Sequence, residues 1–284
     1  MPSIVITGAL GQLGSELCRQ IGSEAVGVDL PQLDLTDRPA VLEWLDGIRP
    51  TAVINTAAYT RVDQAQSEPD RCRSVNADAV AHLADACRRL DAVLVQISTD
   101  YVFGGDVARQ VPYRETDAPA PQGVYARTKL EGERRAAGCQ RHFIVRTCGL
   151  YGRPGPRSPG NFVETMLRLA GERDHLRVVD DQCCTPSYTA HVARAIRFLL
   201  STRDYGVYHV VNSGATTWYR FAETLFRTAG IPIALEPITT AQYGLPAPRP
   251  SYSVLDTAKY HALPGHAAMP DWQQALADYL SARS

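Results

Sequence analysis

The chain begins with an apolar strand pattern that runs directly into a cluster of three glycines. Residues 3–7 are rich in β-branched side chains, which favours a buried strand. Gly8, Gly11 and Gly14 follow at intervals of three residues, and an amphipathic helix pattern comes next. A tight glycine turn between strand and helix leaves backbone N–H groups at the helix N-terminus free to bind a pyrophosphate. The sequence therefore predicts the start of a dinucleotide-binding α/β fold, with a purely structural turn as the alternative.

An aspartate follows the next predicted strand. The apolar residues 25–28 end at Asp29, which lies 21 residues beyond Gly8. In dinucleotide-binding folds an acidic residue at about this distance hydrogen-bonds the adenosine ribose hydroxyls. A carboxylate there also repels the 2′-phosphate of NADP, so Asp29 slightly favours NADH over NADPH. A turn or helix-capping aspartate is the alternative interpretation.

Strands and helices alternate through the first half. After Asp29 come a helix pattern, a strand at 51–55 followed by small residues, a helix at 74–89 and a strand at 91–97. This alternation predicts a Rossmann-type, doubly wound parallel sheet covered by helices on both faces. We expect a dinucleotide-binding domain over residues 1–150.

The second half starts with a turn-rich, basic loop at 152–160. A strand pattern occurs at 205–211, and helix patterns occur at 161–171, 218–229 and 271–280. No long linker separates the two halves. Residues 151–284 are therefore predicted to form a smaller, mainly substrate-binding C-terminal lobe, with some elements returning to the Rossmann core.

Composition excludes several classes of protein. The net charge of −1 gives no global field that would attract nucleic acid or an anionic membrane. Seven scattered cysteines suit free thiols in a reducing compartment. Met1 leads straight into a strand pattern, and no apolar run has the length of a membrane span. We expect a soluble cytoplasmic protein.

Tyr125 and Lys129 are four residues apart in a helix pattern, so they lie on one face. A cation beside a phenol lowers the phenol's pKa. A tyrosine tuned in this way exchanges a proton with a carbonyl or alcohol oxygen. The alternative is a surface helix that carries both residues without function.

The glycine turn, Asp29, Thr99 and the Tyr125/Lys129 pair together resemble, in order and spacing, the extended short-chain dehydrogenase/reductases. Further segments resemble the dTDP-4-dehydrorhamnose reductase family across essentially the whole chain. These segments are residues 57–63, 98–103, 161–162, 180–182, 217–218, 249–250 and 271–272.

This resemblance implies reduction of the 4-keto group of a dTDP-linked 6-deoxyhexose by NADH or NADPH, in a possible homodimer. It implies a catalytic trio of Thr99, Tyr125 and Lys129. The dinucleotide would contact Gly8, Gly11, Gln12, Leu13, Gly14, Asp29, Asp34, Leu35, Ala57, Ala58, Tyr59, Asn76, Tyr125 and Lys129. The sugar nucleotide would contact Val62, Thr99, Asp100, Asn161 and Arg249.

The chain departs from the family pattern at several positions. Gly149 stands where the family commonly has a tryptophan near the sugar, so the identity of the sugar in the substrate stays open. Some members bind a divalent metal through glutamates; Glu16 matches one such position but Ala190 occupies another, so we expect no metal. Arg153 and Arg157 are candidates for the substrate diphosphate, although solvated charge is the favoured interpretation.

Two alternative functions stay open. Sugar-nucleotide dehydratases and epimerases share the superfamily, but dehydratases place Asp-Glu after the threonine, whereas Asp100 here precedes Tyr101. A non-catalytic protein like the regulatory subunit of methionine adenosyltransferase would keep the Rossmann core. The intact set of Thr99, Tyr125 and Lys129 argues against it.

Overall fold

The computed structural model describes residues 3–158 and 160–283, so Met1, Pro2, Pro159 of the predicted loop, and Ser284 lie outside the described residues. The strands in chain order are β1 (Ile4–Thr7), β2 (Ala25–Val28), β3 (Ala52–Asn55), β4 (Val93–Thr99), β5 (His142–Thr147), β6 (Leu150–Tyr151), β7 (His175–Val179), β8 (Cys183–Cys184), β9 (Ser187–Tyr188), β10 (Gly206–His209), β11 (Thr216–Thr217) and β12 (Ala234–Ile238). The helices are α1 (Gln12–Ile21), α2 (Arg38–Ile48), α3 (Pro69–Arg73), α4 (Ala79–Leu90), α5 (Gly123–Ala136), α6 (Phe162–Ala170), α7 (Thr189–Leu200), α8 (Trp218–Ala229), α9 (Thr240–Tyr243), α10 (Ala258–His261) and α11 (Trp272–Arg283).

In the described part of the chain, a parallel sheet of six strands runs in the order β10, β5, β4, β3, β1, β2. Successive residues of a strand point to opposite faces. Ile6 of β1 therefore packs in the core beside α1 and α7, while its neighbour Val5 packs beside α2 and α4. The strand order reverses between β1 and β3, which is where doubly wound sheets bind ligands. The predicted fold class is confirmed.

The second half builds an apolar core of its own and also extends the main sheet. Phe221 and Trp272 lie in a buried cluster with residues of α6, α8, α11 and β7. β7 and β12 pair in parallel as a small sheet. β10 instead joins the edge of the central sheet beside β5. The division near residue 150 stays a prediction.

The helix predicted for residues 74–89 begins earlier than expected. Pro69 opens α3, where its missing N–H costs nothing, and the chain continues through a π-helical turn at Ser74–Asp78 into α4. The charged residues between Pro69 and Ser74 hide this start from an apolar pattern. The strand predicted to end at residue 97 also continues to Thr99.

Among residues 3–158 and 160–283, no helix combines the length and the apolar character needed to cross a bilayer.

Candidate functional site

A cavity of about 600 Å³ lies at the carboxyl edge of the central sheet. It extends from Asp29, after β2, to Tyr125 and Lys129 on α5 and to Trp218 on α8. Parallel strands present their carboxyl ends along one edge, which explains why distant segments meet there. The predicted site residues that line it are Gly8, Gly11, Gln12, Leu13, Asp29, Asp34, Leu35, Ala57, Ala58, Val62, Thr99, Asp100, Tyr125 and Lys129.

The glycine turn forms one end of this cavity. Gly8 has a φ of +68°, and a Cβ there would lie 2.6 Å from the backbone nitrogen of Ala57. Gly11 is the N-cap of α1, and no side chain of the described residues caps that helix. The first N–H groups of α1 are therefore available to an anion. Gly14 does not line the cavity; a Cβ there would lie 2.2 Å from the carbonyl oxygen of Gly8, so it permits close packing of α1 on the turn.

Asp29 is held at the same end of the cavity. Its Oδ2 accepts a hydrogen bond from the N–H of Leu10 at 3.0 Å, and its Oδ1 accepts one from the N–H of Leu30 at 2.8 Å. A carboxylate has about four lone-pair positions, so Asp29 retains capacity for ribose hydroxyls. Asp34 accepts hydrogen bonds from the N–H and hydroxyl of Thr36 at 2.9 and 2.7 Å, which fixes the following turn.

Tyr59 and Asn76, which the resemblance assigned to the dinucleotide, do not line the cavity. The Asn76 amide brackets the backbone of Tyr59: its Oδ1 accepts from the N–H at 2.9 Å, and its Nδ2 donates to the carbonyl at 3.1 Å. The Tyr59 hydroxyl donates to Glu68 at 3.0 Å. Asn76 therefore holds the segment that places Ala57 and Ala58 at the cavity.

Thr99, Tyr125 and Lys129 converge as predicted. Thr99 ends β4, while Tyr125 and Lys129 lie one turn apart on α5, and all three line the cavity. The Thr99 hydroxyl donates to Asp100 and accepts from the N–H of Tyr101, which fixes it beside the cavity. The Lys129 ammonium donates to the carbonyl oxygen of Ile97 at 2.7 Å. One hydroxyl pair and one buried cation therefore share this end of the cavity.

The expectation that Lys129 lowers the pKa of Tyr125 is wrong in this structure. Burial raises the pKa of Tyr125, and the nearby Thr99 side chain opposes that effect only in part. A phenolate loses more by leaving water than the neutral phenol does, and the Lys129 ammonium is bonded to Ile97 instead. Tyr125 is therefore a protonated phenol at neutral pH, suited to giving a proton to an oxygen. Burial also lowers the pKa of Lys129 to about 8, and Glu133 raises it by less.

A buried ion pair supports the helix that carries the trio. The Arg146 guanidinium on β5 binds the Glu133 carboxylate on α5 through two contacts, of 2.9 and 2.7 Å. Ser98 donates to the same carboxylate at 2.5 Å. Because Ser98 precedes Thr99 and Glu133 lies one turn beyond Lys129, this network fixes α5 against β4.

Asp100 is buried directly beside Thr99. Its Oδ1 accepts from the Thr99 hydroxyl at 3.1 Å, and its Oδ2 accepts from the Ser253 hydroxyl at 2.6 Å. Burial raises the pKa of Asp100, against these hydrogen bonds. Ser253 therefore orients Asp100, and through it Thr99, from a segment more than 150 residues away in the chain.

Gly149 and Trp218 meet in the wall of the cavity. Gly149 has a φ of +50°, and a Cβ there would lie 2.9 Å from Cη2 of the Trp218 indole. The indole stacks at a tilt on Phe162, with ring centroids 4.8 Å apart. The Trp218 indole, at the start of α8, therefore extends into the space beside Gly149 that a side chain at residue 149 would need.

Asn161 and Arg249, predicted to touch substrate, do not line the cavity. Asn161 caps α6 and donates to the Gln12 side chain at 2.7 Å, so it ties the second half to the glycine turn. Both Arg249 terminal nitrogens bind the Asp63 carboxylate, at 2.8 and 3.1 Å. Glu16 is held by Arg19 and Gln20.

Sequence reasoning gave no role to several side chains of the cavity wall. Thr147 is the most informative, because its buried hydroxyl has no hydrogen-bond partner within the described residues. Ser98, Gln182 and Trp218 lie in segments that carried the resemblance, whereas Ser253 and the two thiols had no signal of spacing. These unassigned residues are Ser98, Thr147, Cys148, Gln182, Cys184, Trp218 and Ser253.

Comparisons with known proteins agree over the full length. The family model described as RmlD substrate binding domain matches residues 2–284. The chain is 39% identical over 289 residues to the spore coat polysaccharide biosynthesis protein SpsK of Bacillus subtilis (strain 168), covering 100% of this chain and 99% of the relative. It is 41% identical over 288 residues to the dTDP-4-dehydrorhamnose reductase of Streptomyces griseus, covering 98% and 92%.

A solved structure gives the same result. The crystal structure of dTDP-4-dehydrorhamnose reductase from Bacillus anthracis str. Ames in complex with NADP matches with a TM-score of 0.94 and 38% identity, over 99% of this chain and 100% of that one. Similarity of this extent accompanies the convergence of Thr99, Tyr125 and Lys129 on one cavity. The chain therefore belongs to the dTDP-4-dehydrorhamnose reductase family of extended short-chain dehydrogenase/reductases.

Proposed function

We propose that this protein reduces the C4 carbonyl of a dTDP-4-keto-6-deoxyhexose to an alcohol, with NADH or NADPH as reductant. The convergence of Thr99, Tyr125 and Lys129 on the cavity that also contains the glycine turn carries this proposal. Relatives named dTDP-4-dehydrorhamnose reductase, at about 40% identity over the full chain, support the substrate class.

The residues at the glycine end fit a nicotinamide dinucleotide. The free N–H groups of Gln12 and Leu13 suit its pyrophosphate, and Asp29 suits the adenosine ribose. Ala57 and Ala58 leave space beside the backbone. The bound dinucleotide supplies the hydride.

The chain's own residues handle the carbonyl oxygen. Thr99 and Tyr125 hold that oxygen through their hydroxyl groups, with the Thr99 proton turning to it from Asp100. Tyr125 gives the oxygen a proton as negative charge develops. Its raised pKa keeps this proton in place at neutral pH. Lys129, bonded to the Ile97 carbonyl, adds a positive charge at the same end of the cavity. Val62 and Asp100 contact the sugar, and Asp100 also fixes Thr99.

The test is turnover of a dTDP-4-keto-6-deoxyhexose, followed by loss of NADH or NADPH absorbance. Tyr125→Phe removes the proton donor, so we expect kcat to fall by roughly 10²- to 10⁴-fold with dinucleotide binding retained. Tyr205→Phe is the control, because its hydroxyl binds Arg141 and lies outside the cavity wall. Absence of turnover with either dinucleotide, or full activity in Tyr125→Phe, contradicts the proposal.

Two finer expectations belong to the same proposal. Asp29 favours NADH slightly, and the ratio of kcat/KM for NADH and NADPH measures that preference. A homodimer and a cytoplasmic location stay predictions of the sequence, and sedimentation of the purified protein tests the first.

A further inference from the structure

The loop after β6 is fixed against the dinucleotide end of the cavity. A Cβ on Gly155 would lie 2.4 Å from the carbonyl oxygen of Gly11 and 2.5 Å from that of Leu10. The N–H of Arg157 donates to the same Leu10 carbonyl at 2.9 Å. We expected the arginines of this loop to be solvated. The loop instead packs on the glycine turn.

The Arg157 side chain crosses to the end of β2. Its Nη1 donates to the carbonyl oxygen of Leu30 at 2.6 Å, one residue beyond Asp29. Arg157 lines the cavity together with Asp29 and Asp34. Within the described ranges, no carboxylate forms an ion pair with this guanidinium, so its charge is free to meet an anion.

The position next to Asp29 identifies the anion. In this fold an acidic residue at the end of the second strand meets the adenosine ribose hydroxyls. The Arg157 guanidinium binds the carbonyl of the next residue, Leu30, so it is adjacent to the 2′ position of that ribose. A guanidinium forms strong, charge-assisted hydrogen bonds with phosphate. Asp29 repels a 2′-phosphate, and Arg157 offsets that repulsion from the same end of the cavity.

We propose that Arg157 binds the 2′-phosphate of NADPH and thereby offsets the preference for NADH that Asp29 introduces. The inference rests on the proposed function in placing the adenosine end of a dinucleotide at Asp29. The residue that distinguishes NADPH from NADH then comes from the second half of the chain, although Rossmann folds usually place such a residue in the loop after their second strand. Tolerance of NADPH is thereby coupled to docking of the loop on the glycine turn.

The experiment compares two arginines of one loop by calorimetric titration of the full-length protein. Arg157→Ala is expected to weaken binding of NADPH and of 2′,5′-ADP by about ten- to a hundredfold, with binding of NADH changed less than about threefold. Arg153→Ala removes the same charge, but Arg153 lies in a different hollow beside Glu16 and Glu164. Arg153→Ala should leave the affinities for NADPH, 2′,5′-ADP and NADH unchanged. Arg157→Lys keeps a cation and should recover part of the affinity for 2′,5′-ADP.

Three outcomes would overturn the inference. Equal weakening of NADPH and NADH in Arg157→Ala would mean that the residue only anchors the loop. Unchanged NADPH binding in that variant, or no binding of 2′,5′-ADP by the parent protein, would remove the 2′-phosphate contact. Binding of 2′,5′-ADP requires neither a keto sugar nor hydride transfer. The titration therefore still tests the role of Arg157 if the reductase proposal fails. Thermal unfolding of each variant checks that the fold is retained.

Discussion

Lys129 donates a hydrogen bond from its Nζ to the carbonyl oxygen of Ile97, at 2.7 Å. The bond joins α5 to the strand that carries Thr99, two residues further on. It holds a buried ammonium at the cavity, one helical turn from Tyr125. The strand end that carries Thr99 therefore also positions the Lys129 cation.

The activity of the reductase should fall at alkaline pH because of Lys129. Burial lowers the pKa of Lys129 to about 8, so its charge is present below that pH and is lost above it. The pKa of Tyr125 is raised, so the phenol keeps its proton over this range. We expect kcat/KM for the sugar to decline above about pH 8 in the parent protein.

Lys129→Arg should extend this limb to higher pH, since a guanidinium stays charged, even where the maximum rate is reduced. Lys259→Arg is the matched control, because its Nζ binds the Val207 carbonyl away from the cavity. An alkaline limb that is unchanged in Lys129→Arg would assign it to another group.

Loss of Glu133 should be far more damaging than loss of its neighbour Glu131. Glu133 and Arg146 are 5% and 4% exposed, so Glu133→Gln leaves a buried guanidinium uncompensated. We expect a loss of about 3–5 kcal/mol in the free energy of unfolding. Glu131 pairs with Arg73 at 2.9 Å near the surface, and Glu131→Gln should cost about 1 kcal/mol or less.

Urea unfolding measures both values. Glu133 also raises the pKa of Lys129, so Glu133→Gln should move the alkaline limb to lower pH. Similar losses of stability in the two variants would contradict a buried, uncompensated charge.

A side chain at Gly149 should crowd Trp218. Gly149→Ala places a Cβ 2.9 Å from the indole and 3.2 Å from Cα of Pro186, in a backbone with a φ of +50°. Gly230→Ala is the control, because Gly230 has a φ of +66° and open space around its Cβ position. Both variants lose about 1 kcal/mol through the left-handed backbone, and Gly149→Ala should lose about 1–3 kcal/mol more through crowding. Equal melting temperatures would show that the indole moves aside without cost.

The unpaired hydroxyl of Thr147 should matter to ligands and not to folding. Thr147 lies opposite Thr99 in the β4–β5 register, and its buried hydroxyl finds no partner within residues 3–158 and 160–283. Thr147→Val keeps the shape, so stability should be retained, while KM for the dinucleotide or the sugar nucleotide rises by about two- to tenfold. Thr185→Val is the contrast, because its hydroxyl donates to the Gly214 carbonyl at 2.6 Å and its loss should destabilise the fold. Unchanged KM values in Thr147→Val would mean that no ligand uses this hydroxyl.

Several features of the site were predictable because each depends on a short stretch of sequence. The glycine turn follows from three glycines between a strand pattern and a helix pattern, and the shared face of Tyr125 and Lys129 follows from helical periodicity. The early start of the helical run at Pro69 was not predictable from apolar spacing, because charged residues fill its first turn. Gly14 and Asn76 do not line the cavity, because they pack against the glycine turn and the backbone of Tyr59, contacts that the sequence does not reveal.

By itself, then, the sequence determined the alternation of strands and helices, the position of the glycine turn and the shared helix face of Tyr125 and Lys129. The tertiary structure decided the direction of the Tyr125 pKa shift, because that direction depends on how far burial outweighs the charges nearby. It also decided that Ser253 orients Asp100 and that Arg157 reaches Leu30, contacts between residues more than 120 positions apart. Such contacts leave no periodic trace in the chain, because they depend on which strand ends and loops the folded sheet brings to one edge.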